Sequence, residues 1–356
     1  MFLPEKKQRV LSLIRGRNFP EAKRLLEEMI SSDQMNVEAW IYLSMIYAQT
    51  GPVSEFERCC RNAIVANPGL PNTHFNLGVA LGSQGKVAEA IQSFRQAIQL
   101  KPDHILSLFN LGHLLQSSFC LEEAFICYSR VLGLKPTPAD SIPENFHATV
   151  NHYIANVLKA QGKMREANKH YRQALALNPA MPGVHSDMLL ALNYDPPDPN
   201  EVFSEHMEWS RRHAYTGPAA YQHKQSRDPE RTMRIGYLSP DLYHHAVTFF
   251  FEPLISKCDR SRFETVCYSA RQKSDHVTTR LRSLSTLWRE VFAMNDKQVA
   301  DQIYADQIDI LVDLTGHMGE NRLPVFSRKP APIQISWLGY PNTTGLSAID
   351  YRLTDA

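Results

Sequence analysis

The sequence predicts two architectures in series: an α-solenoid of paired helices over about residues 1–196, then an open α/β domain from residue 233 onward. Three observations lead there. Pro68, Pro102 and Pro136 recur at a 34-residue spacing, each closing an apolar helical stretch. From Met233 short, nearly continuous apolar runs alternate with helical segments. Between the two regions lies a polar, proline-containing stretch, Gln222–Thr232 (QHKQSRDPERT), with the composition of a domain boundary.

The repeat is legible position by position. Twelve residues before each proline stand Phe56, Ala90 and Ala124; eight before, Cys60, Phe94 and Tyr128; five before, Ala63, Ala97 and Val131. Twenty-five before stand Leu43, Leu77 and Leu111, followed by Ser44, Gly78 and Gly112. This is the tetratricopeptide (TPR) pattern, a 34-residue helix–turn–helix unit. Small residues in the Gly78 and Ala90 slots let two helices approach closely, and the Phe94 slot is expected to fill the gap to the next unit. Proline stops the second helix because it cannot continue the hydrogen-bond ladder. The expected units span about 3–36, 37–70, 71–104 and 105–136. A turn-rich insertion, 137–145 (TPADSIPEN), precedes a unit at 146–179 and a half-unit at 180–196. Residues 197–232 read as a connecting helix and linker, leaving 233–356 for the α/β domain.

Stacked units curve into a superhelix lined by their first helices. Asn76 and Asn110 share one slot on that face, while Tyr42 and Tyr153 occupy the equivalent slots elsewhere. A side-chain amide donates to and accepts from a peptide backbone, so the two asparagines are candidate peptide holders. Equally, asparagine is simply compatible with a helix there.

In the C-terminal region the expected strands are Arg234–Leu238, Phe263–Ser269, Trp288–Phe292, Ile308–Leu314, Ile333–Leu338 and Tyr351–Leu353. Ala246–Cys258, His276–Leu284 and Asp296–Ala305 are the intervening helices. Such alternation implies a parallel sheet covered on both faces, with ligands at the carboxyl ends of the strands. The candidate loops are therefore Ser239–Ala246, Thr315-Gly316-His317 and Gly339–Gly345. No Gly-x-Gly-x-x-Gly follows the first strand, which argues against a dinucleotide site. A histidine at a strand end caps or packs as readily as it catalyses; several polar loops on one edge favour function.

Composition excludes other classes. Lys and Arg total 38 against 37 acids, so no bulk positive charge favours nucleic acid. No apolar run nears the roughly 18 residues of a membrane span, and the N-terminus lacks a signal-peptide pattern. The six cysteines form no Cys-x-x-Cys pair and the fourteen histidines no zinc spacing, so reduced thiols, a cytoplasmic setting and no metal are expected.

The strings RIGYLSPDLYHHAV, IDILVDLTGHMGENRL and KPAPIQISWLGYPNTTGLSAIDYRLTDA, preceded by TPR units, resemble the O-GlcNAc transferase/Spindly family, nearest its bacterial and Spindly-like branches. The resemblance implies an inverting glycosyltransferase: a TPR superhelix joined to two Rossmann-like domains in the GT-B arrangement. Its donor is a nucleotide sugar, UDP-GlcNAc or GDP-fucose, used without a metal. Its acceptors are Ser or Thr hydroxyls of proteins bound along the superhelix, with no nucleic acid or membrane partner. On this resemblance His245 matches an active-site histidine and His317 the histidine of the Thr-Gly-His stretch. Tyr340, Pro341, Thr343 and Thr344 match a loop facing the cleft, and Asn76 and Asn110 part of an asparagine ladder for the acceptor. The sequence stops at Asp355-Ala356, inside a family motif and before the second Rossmann-like domain. The chain alone is thus expected to be inactive in transfer. The alternative reading is a TPR interaction scaffold with a non-catalytic α/β remnant.

Overall fold

The computed structural model describes residues 3–135, 142–196, 198–218, 221–223, 226, 228 and 230–354. Pro136, residues 137–141 of the expected insertion, Pro197, six linker positions and Asp355-Ala356 lie outside the described residues. The chain divides into two compact units, Met1–Gly162 and Lys163–Ala356.

The first unit is helical throughout its described elements: α1 (Leu3–Arg15), α2 (Phe19–Ser32), α3 (Val37–Thr50), α4 (Val53–Ala66), α5 (Pro71–Ser83), α6 (Val87–Leu100), α7 (Ile105–Ser117), α8 (Leu121–Gly133) and α9 (Phe146–Ala160). The first helices of successive pairs begin at Leu3, Val37, Pro71 and Ile105, so the 34-residue period is realised in space. Side chains close several N-termini: Asn36 Oδ1 accepts from the Ala39 amide at 3.0 Å, and His104 Nδ1 from that of Ser107 at 3.2 Å.

Within each pair the small residue and the aromatic are complementary. A Cβ on Gly78 would lie 2.6 Å from the Phe94 ring, and one on Gly112 would lie 2.7 Å from the Tyr128 ring. The aromatic slot therefore seals its own unit and, as expected, also reaches the next: the Tyr128 ring lies 5.5 Å from that of Tyr153 in α9, while Phe75 lies 5.9 Å from Phe94 and 5.4 Å from His104.

The second unit opens with three helices, α10 (Met164–Leu177), α11 (Pro182–Leu192) and α12 (Pro199–His213). Then come β1 (Met233–Ser239), α13 (Ala246–Ser256), β2 (Phe263–Ser269), α14 (His276–Leu284), β3 (Leu287–Glu290), α15 (Asp296–Ala305), β4 (Ile310–Asp313), α16 (Leu323–Phe326), β5 (Ile333–Ser336) and β6 (Tyr351–Arg352). All strand pairs are parallel and the order is β3-β2-β1-β4-β5-β6. That is the doubly wound order, with its reversal between β1 and β4.

Alternate strand residues face opposite layers. Tyr237, Cys267 and Val312 pack with Val247, Phe251 and Ile255 of α13 and Val277 and Leu281 of α14. Leu238, Val266, Tyr268 and Leu311 pack with Val299 and Ile303 of α15, but also with Leu189 and Leu192 of α11 and Val202 and Trp209 of α12. The helices expected to close the repeat array and to connect it thus share the sheet's own core, because their apolar faces are buried against it.

The Gly78 contact generates a test. Gly78→Val is expected to destabilise the chain by about 1–3 kcal/mol through overpacking against Phe94. The measurement is the midpoint of urea unfolding; an unchanged midpoint would contradict this packing.

Candidate functional site at the carboxyl edge of the sheet

Strand β1 ends at Ser239 and its loop runs directly into α13. His245 is the N-cap of α13: its backbone is extended and Nδ1 accepts from the Val247 amide at 3.4 Å. The neutral ring then carries its proton on Nε2, which lies 4.0 Å from Oδ1 of Asp241. The His245 side chain is one-third exposed and Asp241 is nearly buried. Burial raises the Asp241 pKa, opposed by the charges of His245 and Arg271. Arg271, just after β2, donates to Glu320 at 2.6 Å and to the Tyr243 hydroxyl at 2.8 Å, so the loops after β1, β2 and β4 are tied together. Asp275 adds a further tie by accepting from the His244 amide at 2.8 Å; backbone hydrogen bonds hold its carboxyl down at about 2.

The loop after β4 is organised by Asp313. This buried carboxylate accepts from the amides of Thr315 and Gly316 and from the Ser336 hydroxyl, while burial pushes its pKa up to about 6. Ser239 and Thr315 hydroxyls meet at 3.2 Å, bridging the β1 and β4 loops at the switch point. Gly316 turns at φ +55°, and a Cβ there would sit 2.3 Å from that of Tyr340. Only glycine lets the post-β4 and post-β5 loops come so close.

The expected site residues separate into four groups. His245 alone stands open at the crevice. His317, Tyr340 and Thr344 are brought together, but inside the protein. His317 is 1% exposed, with Nδ1 3.0 Å from Ser186 Oγ and Nε2 3.0 Å from the Thr344 carbonyl. Burial, then the neighbouring His206, pushes its pKa down to about 3. Both ring nitrogens of His317 are therefore occupied by protein groups. Tyr340 is likewise buried, its hydroxyl 2.8 Å from Asn193 Nδ2 and 2.7 Å from His206 Nε2.

Pro341 is exposed and its carbonyl accepts from Arg352; Thr343 Oγ1 accepts from the Gly345 amide at 3.1 Å. A cavity of about 250 Å³ lies beside this loop, lined by Trp337, Gly339, Tyr340, Pro341, Arg352 and Leu353.

Asn76 and Asn110 belong to the first unit. Asn110 Nδ2 donates to the Leu106 carbonyl of its own helix at 2.8 Å. Asn76 makes no side-chain hydrogen bond among the described residues and lines a groove of about 580 Å³ with Ile41, Met45, Phe75 and Leu106.

Sequence reasoning passed over Asp241, Asp313, Asn193 and His206. Asp241 carried a signal, a carboxylate four residues before the histidine in a post-strand loop. The others had none, since their partners lie far along the chain or are backbone groups.

Paired helices followed by a doubly wound sheet, with polar loops gathered at its switch point, define a repeat protein fused to a Rossmann-like domain. The comparisons narrow this class. Residues 184–356, just under half of the chain, match the model of glycosyl transferase family 41. Residues 8–71, 71–104 and 148–181 match tetratricopeptide repeat models. A tomato (Solanum lycopersicum) protein named as a probable UDP-N-acetylglucosamine–peptide N-acetylglucosaminyltransferase SPINDLY is 38% identical over 187 residues, 51% of this chain and 20% of its own. A Caenorhabditis elegans UDP-N-acetylglucosamine–peptide N-acetylglucosaminyltransferase is 37% identical over 130 residues, 35% of this chain and 11% of its own. Among solved structures, a mutant O-GlcNAc transferase of Thermobaculum terrenum superposes with a TM-score of 0.57 at 31% identity, covering 90% of this chain and 54% of that one. The chain thus spans about a fifth of the length of the tomato relative.

Gly316→Ala is expected to lower stability by at least about 1 kcal/mol, since it combines a left-handed backbone with a clash at Tyr340. Urea unfolding of the purified variant checks this; wild-type stability would show that the two loops are not so closely opposed.

Proposed function

We propose that this chain is the acceptor-binding repeat region and first catalytic part of a protein O-glycosyltransferase. The observation that carries the reading is His245, partly open beside buried Asp241 at the switch-point crevice of a family 41 segment. The reaction is a direct displacement. A Ser or Thr hydroxyl attacks the anomeric carbon of a nucleotide sugar, the carbon–oxygen bond to the diphosphate breaks, and configuration inverts. The hydroxyl proton passes to a base, directly or by relay.

In this geometry the Nε2 proton of His245 suits donation to an oxygen of the sugar or acceptor better than abstraction of a proton. His245 is therefore assigned to positioning the reacting groups, with Asp241 steadying its ring. The loop holding Pro341 and Thr343 forms another part of the cleft wall, and Tyr340 and Thr344 anchor it from within. Relatives named for UDP-N-acetylglucosamine favour UDP-GlcNAc over GDP-fucose as donor, in metal-free chemistry as the resemblance implies. Extended acceptor segments are assigned to the groove beside Asn76, with Asn110 on the next unit. A cytoplasmic setting belongs to the same reading, supported by six cysteines without a Cys-x-x-Cys pair.

The test uses the full-length protein that contains this chain, with both nucleotide sugars and a panel of Ser/Thr peptides. His245→Ala is expected to lower kcat at least about 100-fold with an unchanged circular dichroism spectrum. Asn76→Ala is expected to raise KM for peptide severalfold and leave kcat alone. Peptide binding without nucleotide-sugar binding or transfer would instead establish the scaffold reading.

A further inference from the structure

A cluster of buried rings lies where α11 and α12 meet the loops after β4 and β5. His206 and His317 have centroids 5.4 Å apart, Tyr340 lies 5.7 Å from His206 and 5.2 Å from His317, and Trp209 lies 4.8 Å from His317. His185 and His213 extend the cluster, with Nδ1 of the first 3.1 Å from Nε2 of the second.

The partners fix how protons are arranged. His206 Nδ1 lies 2.7 Å from the Val202 carbonyl, which only accepts, so Nδ1 carries the proton. Nε2 is then a lone pair and accepts from the Tyr340 hydroxyl at 2.7 Å; that oxygen in turn accepts from Asn193 Nδ2 at 2.8 Å. His317 has the opposite tautomer. Its Nε2–H donates to the Thr344 carbonyl at 3.0 Å, and Nδ1 accepts from Ser186 Oγ at 3.0 Å. Every position is used with both rings neutral. A second proton on either ring would turn an acceptor toward a hydroxyl that is already donating to it, and would leave that hydroxyl without its acceptor in a buried site.

We propose that His206 and His317 are positioning residues that clamp the Thr315–His317 and Gly339–Thr344 loops onto α11 and α12 only as neutral imidazoles, so that acidification releases the loops. Their importance for catalysis rests on the cleft reading above; the clamp itself does not.

The surrounding charges do not offset a protonated ring. From α12, Glu205 faces the cluster, but its carboxylate is 3.1 Å from His185 Nε2 and 3.9 Å from Arg172 of α10. Glu208 is held by Arg211 and Arg212, and Arg352 of β6 adds positive charge beside Tyr340. No carboxylate among the described residues hydrogen-bonds either ring. Burial lowers the pKa of His206 from 6.5, holds His213 at about 4 and His317 at about 3.

The sign follows from proton linkage. A released ring titrates near 6.5 and a clamped one lower, so the released form binds more protons between those values. The clamp is fully stable above that ordinary value and weakens as pH falls through the window. Between pH 7.5 and 5.5 the open-to-closed ratio rises about tenfold for release of His317 and further for His206, whereas Asp313, raised to about 6 on the Thr315 and Gly316 amides, pulls the other way wherever those two bonds also open.

Amide hydrogen exchange of the chain at about pH 7.5 and 5.5, corrected for intrinsic rates, reads this directly. Protection of residues 339–346, whose amides make no hydrogen bond to Asp313, is expected to fall at least about tenfold in the wild type. In His206→Gln, which keeps an acceptor near Nε2 but cannot titrate, the fall is expected to be smaller than in the wild type. A wild-type change under about threefold, or an unaltered pH dependence in His206→Gln, would overturn the proposal. Should the variant not fold, ring nitrogen NMR of the wild type decides. Protons on Nδ1 of His206 and Nε2 of His317 are expected, and the reverse tautomers or charged rings at neutral pH would overturn it. No nucleotide sugar enters either measurement, so failure of the glycosyltransferase reading remains a separate result.

Discussion

The candidate site depends on the parting of the sheet between β1 and β4. The chain leaves β1 through α13 on one face and reaches β4 from α15 on the other, so the two loops diverge above adjacent parallel strands. That divergence opens a crevice at the carboxyl edge without any side chain having to make room. Its floor is fixed by the Ser239–Thr315 hydroxyl contact and by Asp313, which gathers two amides and Ser336 around one carboxylate. Because these groups are buried, the floor is rigid, and His245 is presented from the adjoining helix terminus.

The same constraint explains why α11 and α12 matter. A doubly wound sheet needs cover on both faces, and here two helices preceding the α/β domain provide part of it. Trp209, wholly buried, fills the layer beside the sheet and also packs on His317. The loops after β4 and β5 are thus braced by helices of the preceding region. Gly345 lets the chain pass so near the His206 carbonyl that a Cβ would come within 2.2 Å. Positioning of the site is therefore a property of the whole second unit.

Much of this was legible in the sequence, because it is governed by local rules. The 34-residue period reports helix pairing directly: Gly78 and Phe94 must be complementary for the pair to close. Likewise the apolar runs at Phe263–Ser269 and Ile310–Asp313 report strands buried on both faces. His245 was legible as a post-strand residue, and its exposure agrees with that placement. His317 looked equivalent on the same grounds, yet its environment is set by Ser186, 131 residues earlier, and by Trp209. No periodicity encodes such a contact. His206 carried no signal for the same reason, since within its own helix it is an ordinary buried position and its role arises only through Tyr340, 134 residues away.

The crevice beside His245 is the proposed place of sugar transfer. A crystal structure of the full-length protein with a non-hydrolysable nucleotide sugar and an acceptor peptide tests it most directly. The anomeric carbon is expected in the crevice between β1 and β4, within hydrogen-bonding reach of groups that contact His245 and bordered by the Gly339–Thr344 loop. A sugar bound away from that edge, for instance at the opposite end of the strands beside Arg231 and Asp309, would contradict it.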